Sequence, residues 1–247
     1  MQQYFINSPA VTELTISDKA TIKHMFHVMR LSEGDQVIIV FTDHQKYLAQ
    51  VTDSQAYTLA ILERLPDSVE LPVEVTIASG FPKGDKLDLI TQKVTELGAH
   101  AIWAFPADWS VVKWDSKKLT KKEEKLAKIA LGAAEQSKRN RLPAVRLFPR
   151  QADFLAQLSD FDSILVAYEE AAKRGEQAAL ARAFSQIKPG QKLLLVFGPE
   201  GGLSPQEVTQ LKAAGAQLVG LGPRIMRTET APLYALSALS YALELQG

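Results

Sequence analysis

The sequence predicts an α/β domain built on a mostly parallel sheet, preceded by a small β-rich module. Three observations carry this. The first 70 residues hold short runs of β-branched and aromatic residues. From residue 73 onward, strand patterns alternate with helix patterns, the rhythm of a parallel sheet covered on both faces. Between them, Leu65-Pro66-Asp67-Ser68-Val69-Glu70-Leu71-Pro72 has two prolines and little hydrophobic pattern. The boundary falls there, giving domains over 1–70 and 73–247.

In the first module, Tyr4-Phe5-Ile6, Val37–Phe41, Tyr47–Val51 and Tyr57–Leu62 read as strands. Ser17 or Asp18 caps a helix over about 18–29. Gly34-Asp35 marks a turn before the next strand. In the second region, Val73–Ser79 is a strand, and 84–97 is an amphipathic helix ending at Gly98. Ala101–Phe105 is a strand, followed by a basic helix over about 117–138. Ser163–Tyr168 is a strand with a helix near 175–187 after it. Lys192–Phe197 is almost wholly apolar, as a strand buried on both faces requires. A helix over 204–214, a short strand at Gln217–Gly220 and a last helix over about 229–245 complete the chain.

Composition excludes several classes. Hydrophobic residues make up 46% of the 247, enough for an ordinary core. No run of about 18 uncharged apolar residues occurs, so neither a transmembrane helix nor a membrane partner is expected. The opening Met1-Gln2-Gln3-Tyr4-Phe5 lacks the basic and apolar segments of a signal peptide, so the expected compartment is the cytoplasm. With no cysteine there are no disulfides, zinc–thiolate sites or cysteine nucleophiles. The four histidines have no ligand-like spacing, so no metal is expected, and His27 reads as a packed residue of the β-rich module.

Net charge is zero, but it is unevenly spread. Residues 1–72 carry five Lys/Arg against nine Asp/Glu; residues 111–150 carry twelve against four. Attraction for phosphate follows the local field, so the second stretch suits nucleic acid. Lys117, Lys118, Lys121, Lys122, Lys125 and Lys128 are spaced to put several on one helical side. Glu135-Gln136 with Arg139-Asn140-Arg141 gathers groups that grip phosphates and read base edges. Trp103, Trp109 and Trp114 fit a core or interface, with base stacking open for the two that border the basic segment.

Two loops stand at the C-terminal ends of predicted strands, where open α/β sheets bind ligands. The first is Gly198-Pro199-Glu200-Gly201-Gly202-Leu203-Ser204. Its glycines allow close backbone approach to a ligand. Ser204 can cap the next helix, with Pro205 in its first position and Glu207 completing a capping box. The second runs from Leu221 through Gly222, Arg224, Ile225, Met226 and Arg227 to Ala231, with Thr228 as the expected cap of the last helix. Neither matches a dinucleotide fingerprint or a P-loop.

These motifs resemble those of the ribosomal RNA small subunit methyltransferase E family, within the SPOUT methyltransferases. The matching stretches are His27-Val28-Met29-Arg30 with Gly34-Asp35, Lys83-Gly84-Asp85-Lys86 through Gln92-Lys93 to Glu96-Leu97-Gly98, and Glu135 to Pro143. Gly198 to Ser204 and Leu221 to Ala231 complete them. They occur in the family order across nearly the whole chain; Met226 departs, standing where leucine is commoner.

The resemblance implies an N-terminal PUA-like β-barrel that binds RNA and a C-terminal SPOUT domain with a trefoil knot, although chains rarely thread loops. It implies a homodimer. It also implies S-adenosyl-L-methionine (SAM) as methyl donor, and methylation of N3 of a uridine, position 1498 of 16S ribosomal RNA, in an assembled or nearly assembled small subunit. Cofactor contacts are expected at Leu195, Gly198, Pro199, Glu200, Gly201, Leu221, Gly222, Ile225, Met226, Arg227 and Thr230. RNA contacts are expected at Arg30, Glu135, Gln136, Arg139, Asn140 and Arg141. Arg227 is the candidate for stabilising negative charge on the uracil, and Glu229 for pairing with it or accepting a proton. Other readings are a non-catalytic RNA-binding protein, a small-molecule enzyme on a Rossmann-type sheet, and a transfer-RNA methyltransferase on the same fold.

Overall fold

The computed structural model describes residues 1–169 and 179–246. They form two compact units, one of residues 1–70 with 134–141, the other of 71–133 with 142–247.

In the first unit, β1 (Gln3–Phe5), β2 (Glu13–Thr15), β3 (Gln36–Val40), β4 (Lys46–Asp53) and β5 (Thr58–Leu65) form one sheet in the order β1-β3-β4-β5-β2. β1 runs parallel to β3; the other pairs are antiparallel. Two register shifts between β4 and β5 bend the sheet. Val37, Ile39 and Phe41 alternate inward and pack with Tyr4, Met25, Val51 and Leu59. Helix α1 (Lys19–Ile22) lasts barely a turn before π geometry takes over at Lys23–Val28. Asp18, not Ser17, caps it: its Oδ2 accepts from the Thr21 N–H at 2.7 Å. β2 has only three residues, too few to show alternation in the sequence.

Residues 134–141 are tied into this unit by Glu70. Its carboxylate accepts from Arg139 Nε at 2.9 Å and Nη2 at 2.5 Å, and from the N–H groups of Asn140 and Arg141 at 2.7 and 3.1 Å. Asn140 Oδ1 accepts from the Val69 N–H at 3.2 Å. The guanidinium and these N–H groups overcome the cost of burial and hold Glu70 below the usual carboxylate range.

The second unit carries six parallel strands: β6 (Glu74–Gly80), β7 (Ala101–Phe105), β8 (Ala144–Leu147), β9 (Ser163–Ala167), β10 (Lys192–Phe197) and β11 (Gln217–Val219). Their order is β11-β9-β10-β6-β7-β8. The helices are α2 (Lys86–Glu96), α3 (Ser116–Gln136), α4 (Gln151–Leu155), α5 (Ala179–Gln186), α6 (Pro205–Ala213) and α7 (Thr230–Ser240), with a π turn at Tyr241–Leu245. The last three residues of α3 belong to the first unit. Residues 175–178 of the helix expected near 175–187 lie outside the described residues. β10 is buried from Leu193 to Phe197. Its odd-numbered residues pack with α2, α5 and α7, while Leu194 and Val196 pack with α4 and α6. That two-sided burial is why the strand is continuously apolar.

Candidate functional site

Because β9, β10 and β11 run parallel, their C-terminal ends open on one edge of the sheet. A cleft of about 1100 Å³ lies there. It is walled by Gly198–Leu203 after β10, Leu221–Thr228 after β11, Ala167–Glu169 after β9, and Lys86, Trp109, Pro205 and Ala231.

Close packing dictates the glycines of the first loop. A Cβ on Gly198 would stand 2.7 Å from the carbonyl carbon of Gly202, so no larger residue fits without moving backbone. One on Gly201 would stand 3.0 Å from Cβ of Trp109, whose side chain is half exposed at the cleft. The loop then enters α6 through the expected capping box. Ser204 N–H donates to Glu207 Oε2 at 2.7 Å, and Glu207 N–H to Ser204 Oγ at 3.2 Å. Glu207 also accepts from the Asp108 N–H at 3.1 Å and Gln151 Nε2 at 2.5 Å, and Ser204 Oγ donates to Asp108 Oδ2 at 2.5 Å. Burial pushes the Glu207 carboxyl up, which these donors only partly offset.

At the same edge, Lys86 opens α2. Its Nζ lies 2.9 Å from Glu200 Oε1 in the first loop and 3.3 Å from Glu229 Oε2 at the end of the second. The Lys83 N–H also donates to Glu200 Oε1, at 3.0 Å. Burial opposes the Glu200 charge, but Lys86 and backbone N–H groups outweigh it and hold the carboxyl below its usual range. Hydrogen bonding to Glu200 raises the Lys86 ammonium above its ordinary value.

The fold thus gathers Gly198, Pro199, Glu200, Gly201, Leu221, Gly222, Ile225, Met226 and Arg227 around one cleft. Leu195 and Thr230 are not among its walls. The Leu195 side chain lies in the core, on β10. Glu229 sits behind the cleft on Lys86, its side chain 17% exposed. It occupies the N-cap position of α7 without a capping bond, while Thr228, the expected cap, is buried one residue earlier.

The residues expected to touch RNA all fall in the first unit, with different exposure. Arg30 and Gln136 are exposed; Glu135 and Arg141 are intermediate. Burial raises the Glu135 carboxyl to about 7. Arg139 and Asn140 are interior, 1% and 4% exposed. A guanidinium spent on Glu70 cannot also grip a phosphate, so the expectation of direct RNA contact is corrected for Arg139, and burial corrects it for Asn140. His27 is corrected in the other direction, being exposed. Trp103 packs among Phe148, Phe154 and Phe161, and Trp114 packs at a tilt against Phe81 with Lys122 Nζ 4.6 Å from its ring centre. Sequence reading gave no role to Lys86, nor a place in the cleft to Ala167–Glu169. The parallel strand ending at residue 168 was the available signal for the latter.

Comparison with known proteins places this geometry in a class. Residues 69–240 match the RNA methyltransferase domain family, and residues 16–61 match the RNA methyltransferase PUA domain family. The chain is therefore built as an RNA methyltransferase with a PUA domain. It is 47% identical to the ribosomal RNA small subunit methyltransferase E of Bacillus subtilis, over 99% of this chain and 98% of that one. It is 30% identical to that of Synechocystis, over 95% and 75%. A crystal structure of the Neisseria gonorrhoeae ribosomal RNA small subunit methyltransferase E bound to S-adenosyl methionine superposes with a TM-score of 0.79 at 26% identity, covering 98% of this chain and 97% of that one. The chain belongs to the ribosomal RNA small subunit methyltransferase E family.

Proposed function

We propose that this protein transfers a methyl group from SAM to N3 of a uridine in small-subunit ribosomal RNA, at 16S position 1498. The observation that carries the reading is the meeting of the loops after β10 and β11 in one cleft at the C-terminal edge of a parallel sheet. The residues present fit SAM. Gly198 and Gly201 are packed so closely, against Gly202 and Trp109, that a Cβ at either would shift the loop that forms the cleft wall, and Leu221, Ile225 and Met226 offer apolar surface beside them. When bound, SAM supplies a methyl group already activated by a positively charged sulfur.

The chain must orient the acceptor and lower the cost of charge on it. N3 of uracil is a poor nucleophile while it holds its proton; that proton passes to solvent water at the open cleft, and its loss leaves negative charge on the carbonyl oxygens. Arg227, exposed at the cleft, is the cation suited to stabilise it. Trp109 offers a face on which a base can stack. Glu229 is held on Lys86, and we assign it no proton transfer.

The same reading makes residues 1–70 a PUA-like RNA-binding module and residues 73–247 a SPOUT domain whose C-terminal chain is knotted. It makes the working form a cytoplasmic homodimer acting on an assembled or nearly assembled subunit. Supporting the dimer, the last helix and the turn after it expose Tyr234, Tyr241 and Leu245. Light scattering at micromolar concentration should give about twice the chain mass of 27.2 kDa; a fully active monomer would refute this part.

The decisive experiment incubates the protein with labelled SAM and undermethylated small subunits, then maps the label. Label on N3 of one uridine is expected. Label on transfer RNA or on another atom would overturn the assignment.

A further inference from the structure

Strand order makes the cleft depend on something beyond its own loops. β9 lies between β10 and β11, so the two loops leave from strands that do not pair with each other. At the usual strand spacing their roots are about 10 Å apart. Among the described residues, no direct hydrogen bond joins residues 198–203 to residues 221–228. One ammonium spans the gap. Lys86 Nζ reaches Glu200 at 2.9 Å and Glu229 at 3.3 Å, and all three side chains are less than a third exposed. The Lys83 N–H fixes the same Glu200 oxygen, so the turn before α2 and its first residue hold the first loop together.

We infer that Lys86 is the positioning residue that sets the spacing of the two cofactor loops by pairing at once with Glu200 and Glu229. This rests on the reading of the cleft as the SAM site. Lys86 acts through the loops and needs no contact with the reacting atoms. Removing its charge leaves two carboxylates on facing loops with no common cation, and like charges then drive the loops apart. Partial burial keeps the pairs from being screened as fully exposed ones are.

The experiment titrates SAM into the full chain by calorimetry, comparing wild type with Lys86→Met, Lys86→Arg and Glu229→Gln. Lys86→Met should weaken SAM binding about tenfold or more, with melting temperature and RNA affinity little changed. Lys86→Arg should restore most of the affinity, since a guanidinium can bridge two carboxylates. The loss in Glu229→Gln should be smaller and should not add to that of Lys86→Met in the double variant. In steady state, the Lys86→Met defect should appear in KM for SAM, with kcat recovered at saturation. If Lys86→Met does not fold, Glu200→Gln and the Glu229→Gln variant carry the same comparison. Wild-type SAM affinity in folded Lys86→Met, or in both glutamine variants, would overturn the inference. Absence of SAM binding by the wild type would instead overturn the functional reading.

Discussion

Replacing Arg139 with alanine separates two roles for one residue. In sequence it belongs to a basic stretch suited to RNA; in the structure its side chain is 2% exposed and forked onto Glu70. Removing one partner of a buried pair leaves the other charge uncompensated, at a cost of about 3–5 kcal/mol. The Glu70 side chain is 18% exposed, so water relieves part of this and the lower end, about 3 kcal/mol, applies. That corresponds to an opening constant raised roughly 100-fold for the first unit. The loss is local, so hydrogen exchange in the full chain is the suitable assay. Amides of β3, β4 and β5 should exchange faster by about that factor, while those of β6 and β10 stay near wild type. Replacing the pair together, Glu70→Leu with Arg139→Met, should cost much less than Arg139→Ala alone.

The pH dependence has a definite sign. Glu70 is depressed in the folded state, so its contribution is present above the ordinary carboxylate range and is lost as pH falls from that range through the lowered folded value. Arg139→Ala should weaken that acid-side slope, leaving only the part that the Asn140 and Arg141 N–H groups sustain. If the variant exchanged like wild type while RNA affinity fell, Arg139 would return to the RNA-contact role and the structural argument would fail.

Gly201→Val puts branched carbon against Trp109, where even a Cβ stands 3.0 Å away; SAM affinity measured by calorimetry should fall at least tenfold in a protein that still folds. Arg227→Ala should lower kcat by about 100-fold or more with little change in subunit affinity, the pattern of an interaction made mainly in the transition state; a defect confined to binding would refute it. Replacing exposed Lys117, Lys121 and Lys128 should weaken RNA binding and reduce its log–log salt slope by about 0.7–0.9 per lost contact. Lys125, paired with Asp88 at 2.5 Å, and Lys122, over Trp114, should contribute less. Burial raises Glu135 to about 7 from the ordinary 4.5, so the folded first unit binds that proton more tightly than the unfolded chain. Its stabilising effect is full below about 4.5 and is lost as pH rises through about 7. Glu135→Gln should flatten this slope in melts recorded from pH 5 to 8; an unchanged slope would exclude Glu135 as its source.

What the sequence disclosed was what depends on near neighbours. The apolar run at Leu193–Phe197 announces a strand buried on both faces, and Ser204, Pro205 and Glu207 announce the start of α6 because capping acts within one turn. The two loops that wall the cleft were legible for the same reason, each being a short segment at a strand end. Short elements such as β2, β8 and α4 span too few residues for a period to show. The role of Arg139 is hidden in sequence because charge along a chain says nothing about a partner 69 residues away. The same limit hides Lys86, whose carboxylates lie 114 residues off in one loop and at the far end of another.

Arg139 and Lys86 share a feature that bears on how the site works. In each case one charged side chain joins segments distant in sequence, Arg139 through Glu70 and Lys86 through Glu200 and Glu229. A charge so placed is costly to desolvate, and hydrophobic packing would hold the segments with less penalty. At Glu70 four N–H groups share one carboxylate, which fixes the path of residues 139–141 as well as closing the contact. At Lys86 the ammonium joins two loops at the open edge of the cleft, where a ligand enters. An ion pair at a partly exposed edge can break and re-form with water as its temporary partner, whereas a packed apolar contact would expose surface each time. The salt dependence of SAM affinity should therefore be steeper in the wild type than in Lys86→Met. Equal slopes would mean that apolar packing alone holds the loops.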